Sequence, residues 1–227
     1  MYLDYYYFIL VVPVLILSLI AQKKVNSTYK TYSDVNNKNG LTGAMAAQKV
    51  LEFYGVKDVK IEHIRGKLND NYDPRDNTIR LSDGVYGSTS VAAIGIACHE
   101  AGHAAQHAES YKPIKIRNML LLPCQIGSVA GIPLAILGLF LGSQILINVG
   151  IILYAAIMVF QLVTLPVEFN ASSRAIKVIG ETNILSEGEI TGATKVLKAA
   201  AMTYVAAFAV SAANLLRLLL LFNRRQD

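Results

Sequence analysis

Hydrophobic and polar residues are segregated along this chain into long blocks. Met1 to Ala21 is apolar apart from Asp4, and a polar, Asn-rich stretch follows from Lys23 to Leu41. Leu120 to Val167 holds no Lys, Arg, Asp or Glu over 48 residues, and Ala199 to Phe222 carries one charge, Arg217. The pattern predicts four transmembrane segments of roughly 20 residues each, about 3–21, 120–141, 145–167 and 200–222. A turn near Gly142-Ser143-Gln144 would join the middle pair.

Between the first and second apolar blocks the periodicity changes. Thr42 caps a helix, "TGAMAAQKVLEFYG", whose Met45, Val50, Leu51 and Tyr54 fall on one side and which stops at Gly55. "VKIEHI" (Val59–Ile64) and "TIRLS" (Thr78–Ser82) read as short strands, with "NDNYDPRDN" as a turn-rich connection. Ser88-Thr89-Ser90 precedes a further helix, Val91 to about Ser110, built mostly of Ala, Ile, Val and Gly. The expected organisation is an anchor (1–22), a cytosol-facing α+β unit (23–118) with 23–41 as linker, and two transmembrane helices (119–167). Linker helices (168–198) and a C-terminal hydrophobic segment with a basic tail (199–227) complete it. The fold class is mainly α, multi-pass in the membrane, with a small α+β unit too short to bury a large core alone.

Composition adds orientation. The chain is 53% hydrophobic with a mean hydropathy of +0.40 and a net charge of +5. Lys23-Lys24 follow the first block rather than precede it, so it reads as a retained anchor with its N-terminus outside, not as a signal peptide. The positive charge reflects orientation and headgroup attraction, and no nucleic-acid signature accompanies it. Four crossings would then put Arg224 and Arg225 outside, against the positive-inside tendency, unless the last segment is re-entrant or interfacial. Two cysteines, Cys98 and Cys124, make no disulfide framework and fit a reduced compartment.

Candidate chemistry sits on the 91–110 helix, in "CHEAGHAAQH". His99-Glu100-Ala101-Gly102-His103 is H-E-x-x-H. Four helical residues advance by about 6 Å and rotate by about 40°, so both imidazoles leave one face and converge on a zinc ion. Glu100 is placed to carry a proton. His107 is about 12 Å and about 80° from His99 on an unbroken helix, too far to share one tetrahedral ion. It is read instead as a residue beside the site or at the surface near Glu109. The third ligand favoured by position is Glu168, the first charge after the uncharged block. Glu181, Glu187 and Glu189 are weaker candidates, and Ser186 with Glu189 reads as a capping box.

At this point the chain resembles a known family. "YDPRDNTIRLSDGVYGSTSVAAIGIACHEAGHAAQHAESYKPIKIRN", "LPVEFNASSRA" and "KVLKAAAMTYVAA" are similar to the YugP-type membrane zinc metallopeptidases, over nearly the whole chain. These are more distantly similar to the HtpX and CAAX prenyl proteases. The resemblance implies a zincin-like unit and a Glu third ligand in an E-F-x-A pattern, here Glu168-Phe169-Asn170-Ala171. It departs at Asn170 and Ser173, where the family pattern often has Asp and Arg, so Asn170 would tune a histidine as an amide. It also implies that Thr78, Ile79, Arg80, Leu81 and Ser82 form an edge strand that receives an extended peptide. Tyr204 and Arg217 are the candidates for stabilising an oxyanion, being polar groups in an apolar segment.

These readings predict a membrane-integrated zinc endopeptidase with one Zn²⁺ on His99, His103 and Glu168 and Glu100 as base. Its substrate would be membrane or membrane-proximal polypeptide, at the cytosolic face of the plasma membrane, with a homo-oligomer left open. The alternative is a non-catalytic zinc-binding scaffold or chaperone-like module, which has no need of Glu100. A metal transporter would need ionisable groups within its spans, and 120–167 has none.

Overall fold

A computed structural model describes residues 5–223, with side chains through Leu221. Arg224 and Arg225, and with them the basic tail, lie outside the described residues. A wide π-helical turn, Tyr7–Val11, leads into α1 (Val12–Ser33), followed by α2 (Gly43–Phe53). Three strands come next: β1 (Lys60–His63), β2 (Asn71–Asp73) and β3 (Thr78–Leu81). Four helices, α3 (Val91–Ala108), α4 (Lys112–Leu141), α5 (Gln144–Glu181) and α6 (Glu187–Asn223), complete the chain. The protein is thus mainly helical with a small three-stranded sheet. Four helical stretches, Tyr7–Ser33, Lys112–Leu141, Gln144–Glu181 and Glu187–Leu221, are long and apolar enough to cross a membrane.

The chain divides into two compact units. One comprises residues 1–22, 115–165 and 202–227. Within it Ala135, Ile147, Tyr154 and Leu218 form a small buried cluster. Many of its large apolar side chains, including Met119, Val129, Phe140, Ile145 and Ile152, are exposed. Such a surface suits helices long and apolar enough to cross a membrane. Gly142, with a positive φ of 65°, ends α4 at the expected turn.

The other unit comprises residues 23–114 and 166–201. Its core joins Ala46, Val50 and Leu51 of α2, Ile79 and Leu81 of β3 and Ile94, Ala97 and Ala101 of α3. Ala175, Val178 and Ile179 of α5 and Ala193 and Leu197 of α6 close it. The chain therefore completes a core too small for residues 40–118 alone by drawing in a later segment.

The caps follow the sequence. The Thr42 hydroxyl accepts from the Met45 amide and starts α2, and the Ser90 hydroxyl accepts from the Ala93 amide and starts α3. Met45 itself is exposed, so the buried face of α2 is carried by its alanines with Val50 and Leu51. Two expectations change. The polar stretch after Lys23 is not wholly a linker, because α1 continues to Ser33. Tyr32 packs on the core there, and the Thr31 and Ser33 hydroxyls bond back to carbonyls four residues earlier. The turn-rich "NDNYDPRDN" also contains a strand, β2.

The sheet order β1-β3-β2 overturns the edge-strand expectation for Thr78–Ser82. β3 is central: it runs parallel to β1, with Ile61 opposite Ile79, and antiparallel to β2, with Tyr72 opposite Ile79. Ser82 is also occupied, its amide and hydroxyl bonding the Asp70 carboxylate at 2.7 and 3.0 Å. Thr78, Ile79, Leu81 and Ser82 are buried, while Arg80 pairs with Asp73 and Asp76. With both backbone edges used, β3 is a core strand and cannot accept a peptide by strand addition. β2 is the strand at the edge on that side.

Candidate metal centre

The spacing of His99 and His103 works because α3 is unbroken through both, as its alanine-rich sequence dictates. Their rings stand 4.6 Å apart at 81°. α5 crosses close by and delivers Glu168, which is only 3% exposed. Its carboxylate reaches His99 Nε2 at 3.3 Å and His103 Nε2 at 3.7 Å. One donor atom from each of the three residues lies within 4.8 Å of the others. Ligands at about 2.1 Å from a tetrahedral zinc are roughly 3.4 Å apart, so the three donors fit such an ion. A buried carboxylate between two imidazoles is otherwise a costly arrangement. Among the described residues this is the group of His, Cys, Asp or Glu that can hold a metal.

The far side of each imidazole is engaged too. His103 Nδ1 lies 3.0 Å from Gln106 Oε1, and His99 Nδ1 lies 3.1 Å from the Ser172 hydroxyl. Such contacts orient the ring and turn its other nitrogen toward the ion. Neither Gln106 nor Ser172 is singled out by the motif. The available signal is that Gln106 is an amide one turn beyond His103 on an otherwise alanine face, and Ser172 is one turn beyond Glu168.

Glu100 sits between the histidines on the helix. Its Oε2 accepts the Tyr72 amide at 3.0 Å, so the outward N–H of β2 holds the carboxylate. Removal from water raises the Glu100 pKa; His99 and His103 oppose this, and Glu168 and Asp70 add to it. For His103 burial works downward, but the nearby carboxylates of Glu168 and Glu100 outweigh it and raise the pKa. Two carboxylates, Glu100 and Glu168, thus face the two imidazoles, a donor set suited to a cation.

The remaining predicted residues are distributed as follows. His107 stays outside the triad; its Nδ1 lies 3.2 Å from the Tyr72 hydroxyl, which donates to Asn77 Oδ1 at 2.6 Å. Its polar contact is thus Tyr72, while Glu109, two residues on, pairs with Arg174 at 2.7 Å. Asn170 Oδ1 accepts from Gln106 Nε2 at 2.9 Å and Arg174 Nε at 2.8 Å, so it meets His103 through Gln106. Tyr204 and Arg217 belong to the other unit, where the Arg217 guanidinium lies over the Tyr7 ring at 5.2 Å. Cys98 is buried, and burial pushes its thiol well above the usual range.

Comparison with known proteins agrees with this chemistry. A family described as "Putative neutral zinc metallopeptidase" matches residues 7–223, and the chain belongs to that family. The "Putative membrane protease YugP" of Bacillus subtilis (strain 168) is 45% identical over 218 residues, covering 96% of this chain and 97% of that protein. No solved structure matches.

Proposed function

We propose that the protein is a membrane-integrated zinc endopeptidase. The observation that carries this reading is the convergence of His99, His103 and Glu168 with Glu100 held beside them. His99 Nε2, His103 Nε2 and a Glu168 oxygen would hold one Zn²⁺. Zinc bound there supplies Lewis-acid polarisation of a carbonyl and of water. The chain's own residues then have separable tasks. Glu100 takes a proton from the attacking water and returns it to the leaving amine. The Tyr72 amide fixes one Glu100 oxygen and leaves the other for that proton. A non-catalytic zinc scaffold has no use for a carboxylate so held.

The substrate in this reading is a polypeptide in or near the membrane, and the site lies on the cytosolic side of the plasma membrane. Lys23 and Lys24 at the end of the first apolar block support that orientation. The relative from Bacillus subtilis, named a membrane protease, supports the class of reaction. The test is cleavage of a membrane-protein panel by the zinc-loaded protein beside Glu100→Gln. Cleavage should fall by about 10²–10⁴-fold in the variant with zinc content unchanged. Equal cleavage by both would refute Glu100 as base, and no cleavage by the parent would favour the scaffold.

A further inference from the structure

The two histidines of the triad are held by different chemistry. Gln106 is wholly buried. Its Nε2 donates to the Val167 carbonyl at 2.8 Å and to Asn170 Oδ1 at 2.9 Å. A backbone carbonyl only accepts, so the amide cannot flip without setting its oxygen against another oxygen. Asn170 is fixed in the same way, because Arg174 Nε, which only donates, lies 2.8 Å from Oδ1. Arg174 is anchored in turn by Glu109 at 2.7 Å, at the C-terminal cap of α3. Every donor and acceptor in this chain of contacts therefore has one assignment.

We propose that Gln106 is a positioning residue that sets the tautomer of His103, as the inner member of a relay Glu109–Arg174–Asn170–Gln106–His103. The proposal rests on the reading of His103 as a zinc ligand. With both Gln106 hydrogens committed elsewhere, Oε1 faces His103 Nδ1 at 3.0 Å, and that nitrogen carries the proton. Nε2 is then the nitrogen left for metal; the nearest Glu168 oxygen, 3.7 Å away, is beyond hydrogen-bond reach and does not claim the proton. His99 is treated differently. Its Nδ1 partner is the Ser172 hydroxyl, a rotor that donates or accepts and so imposes no tautomer, while the Glu168 carboxylate lies 3.3 Å from its Nε2. His103 is preset for metal, and His99 adjusts when metal arrives.

The experiment measures zinc affinity of the full-length protein in detergent, by competition with a chelator. Gln106→Met should weaken zinc binding by about 10–100-fold, and Asn170→Leu should move it in the same direction. Asn170→Asp keeps the acceptor for Gln106 and Arg174 and should bind zinc as the parent does. Gln106→Met binding like the parent, or Asn170→Asp weakening as far as Asn170→Leu, overturns the relay. A second measurement needs no substitution. Nitrogen NMR of labelled histidines in the zinc-free protein at alkaline pH should show His103 with its proton on Nδ1; a proton on Nε2 overturns the proposal. Neither readout uses peptide cleavage. A protein that passes both and cleaves nothing refutes the peptidase reading and leaves the relay standing.

Discussion

Gly102 and Ala171 meet backbone to backbone where α3 crosses α5. A Cβ on residue 102 would lie 2.6 Å from the Ala171 carbonyl oxygen and 3.3 Å from its carbonyl carbon. The contact sits one residue before His103 and three after Glu168, so it sets how near the third donor comes to the imidazoles. Here a missing side chain, rather than a present one, brings the candidate donors from two helices together.

Gly102→Ala should therefore push the helices apart. The expected loss is about 1–3 kcal/mol of stability from overpacking against main chain. Zinc content should fall with it, because Glu168 moves away from both imidazoles. Metal analysis beside a thermal melt checks this; full zinc at unchanged stability would show that the helices yield without cost.

Glu168 and His107 make a matched pair for testing the ligand set. Glu168→Ala removes the carboxylate 3.3 and 3.7 Å from the two Nε2 atoms and should strip most of the zinc. His107→Ala should leave zinc content at the parent level, since its contact is Tyr72. The reverse pattern would refute the assignment of Glu168.

Tyr72 links the strand edge to the base. Burial, with Asp73 and Asp76 nearby, pushes its hydroxyl up to about 12, so it stays protonated and keeps donating to Asn77. Tyr72→Phe should cost about 1 kcal/mol through the lost hydrogen bond. Zinc content should hold while the cleavage rate drops, because β2 presents its amide to Glu100 less firmly. A rate equal to the parent's would remove Tyr72 from the catalytic arrangement.

Asp73 closes the turn between β2 and β3. Its hydrogen bonds from the Arg75 side chain and amide hold its pKa at about 2, against an ordinary 3.8. A depressed carboxylate contributes stability above the unfolded pKa and loses it as pH falls through the folded one. The contribution of Asp73 should therefore fade between pH 3.8 and about 2. Asp73→Asn should be less stable than the parent at neutral pH, with the gap closing over that window in a pH series of melts.

Orientation can be read with a single thiol. Lys49 is exposed on α2. Lys49→Cys in a Cys124→Ala background should react with an impermeant reagent only after the cytosolic face is opened. Labelling of intact cells would invert the proposed topology.

Much of the architecture was legible because it rests on local rules. Apolar blocks long enough for a bilayer mark the four long helices, and Thr42 and Ser90 mark two helix starts by the hydroxyls they offer. The four-residue spacing of His99 and His103 defines two donors on one face, since helix geometry is the same wherever a helix forms. The chain alone also argued against His107 as a member of the same cluster, by distance along an unbroken helix, and the cluster is His99, His103 and Glu168.

Strand order is not a local property. β2 hides among Asn, Asp and Pro, and only its pairing with β3 turns Thr78–Leu81 from an expected edge into a central strand. Gln106, Ser172 and Tyr72 owe their positions to contacts over 61, 73 and 28 residues of sequence. The sequence by itself determined which residues are candidates for the chemistry and which segments suit a membrane, because both follow from residue type and helical period. The tertiary structure decided what holds each imidazole, what steadies Glu100 and which strand is free, because those depend on how α3, α5 and the sheet meet.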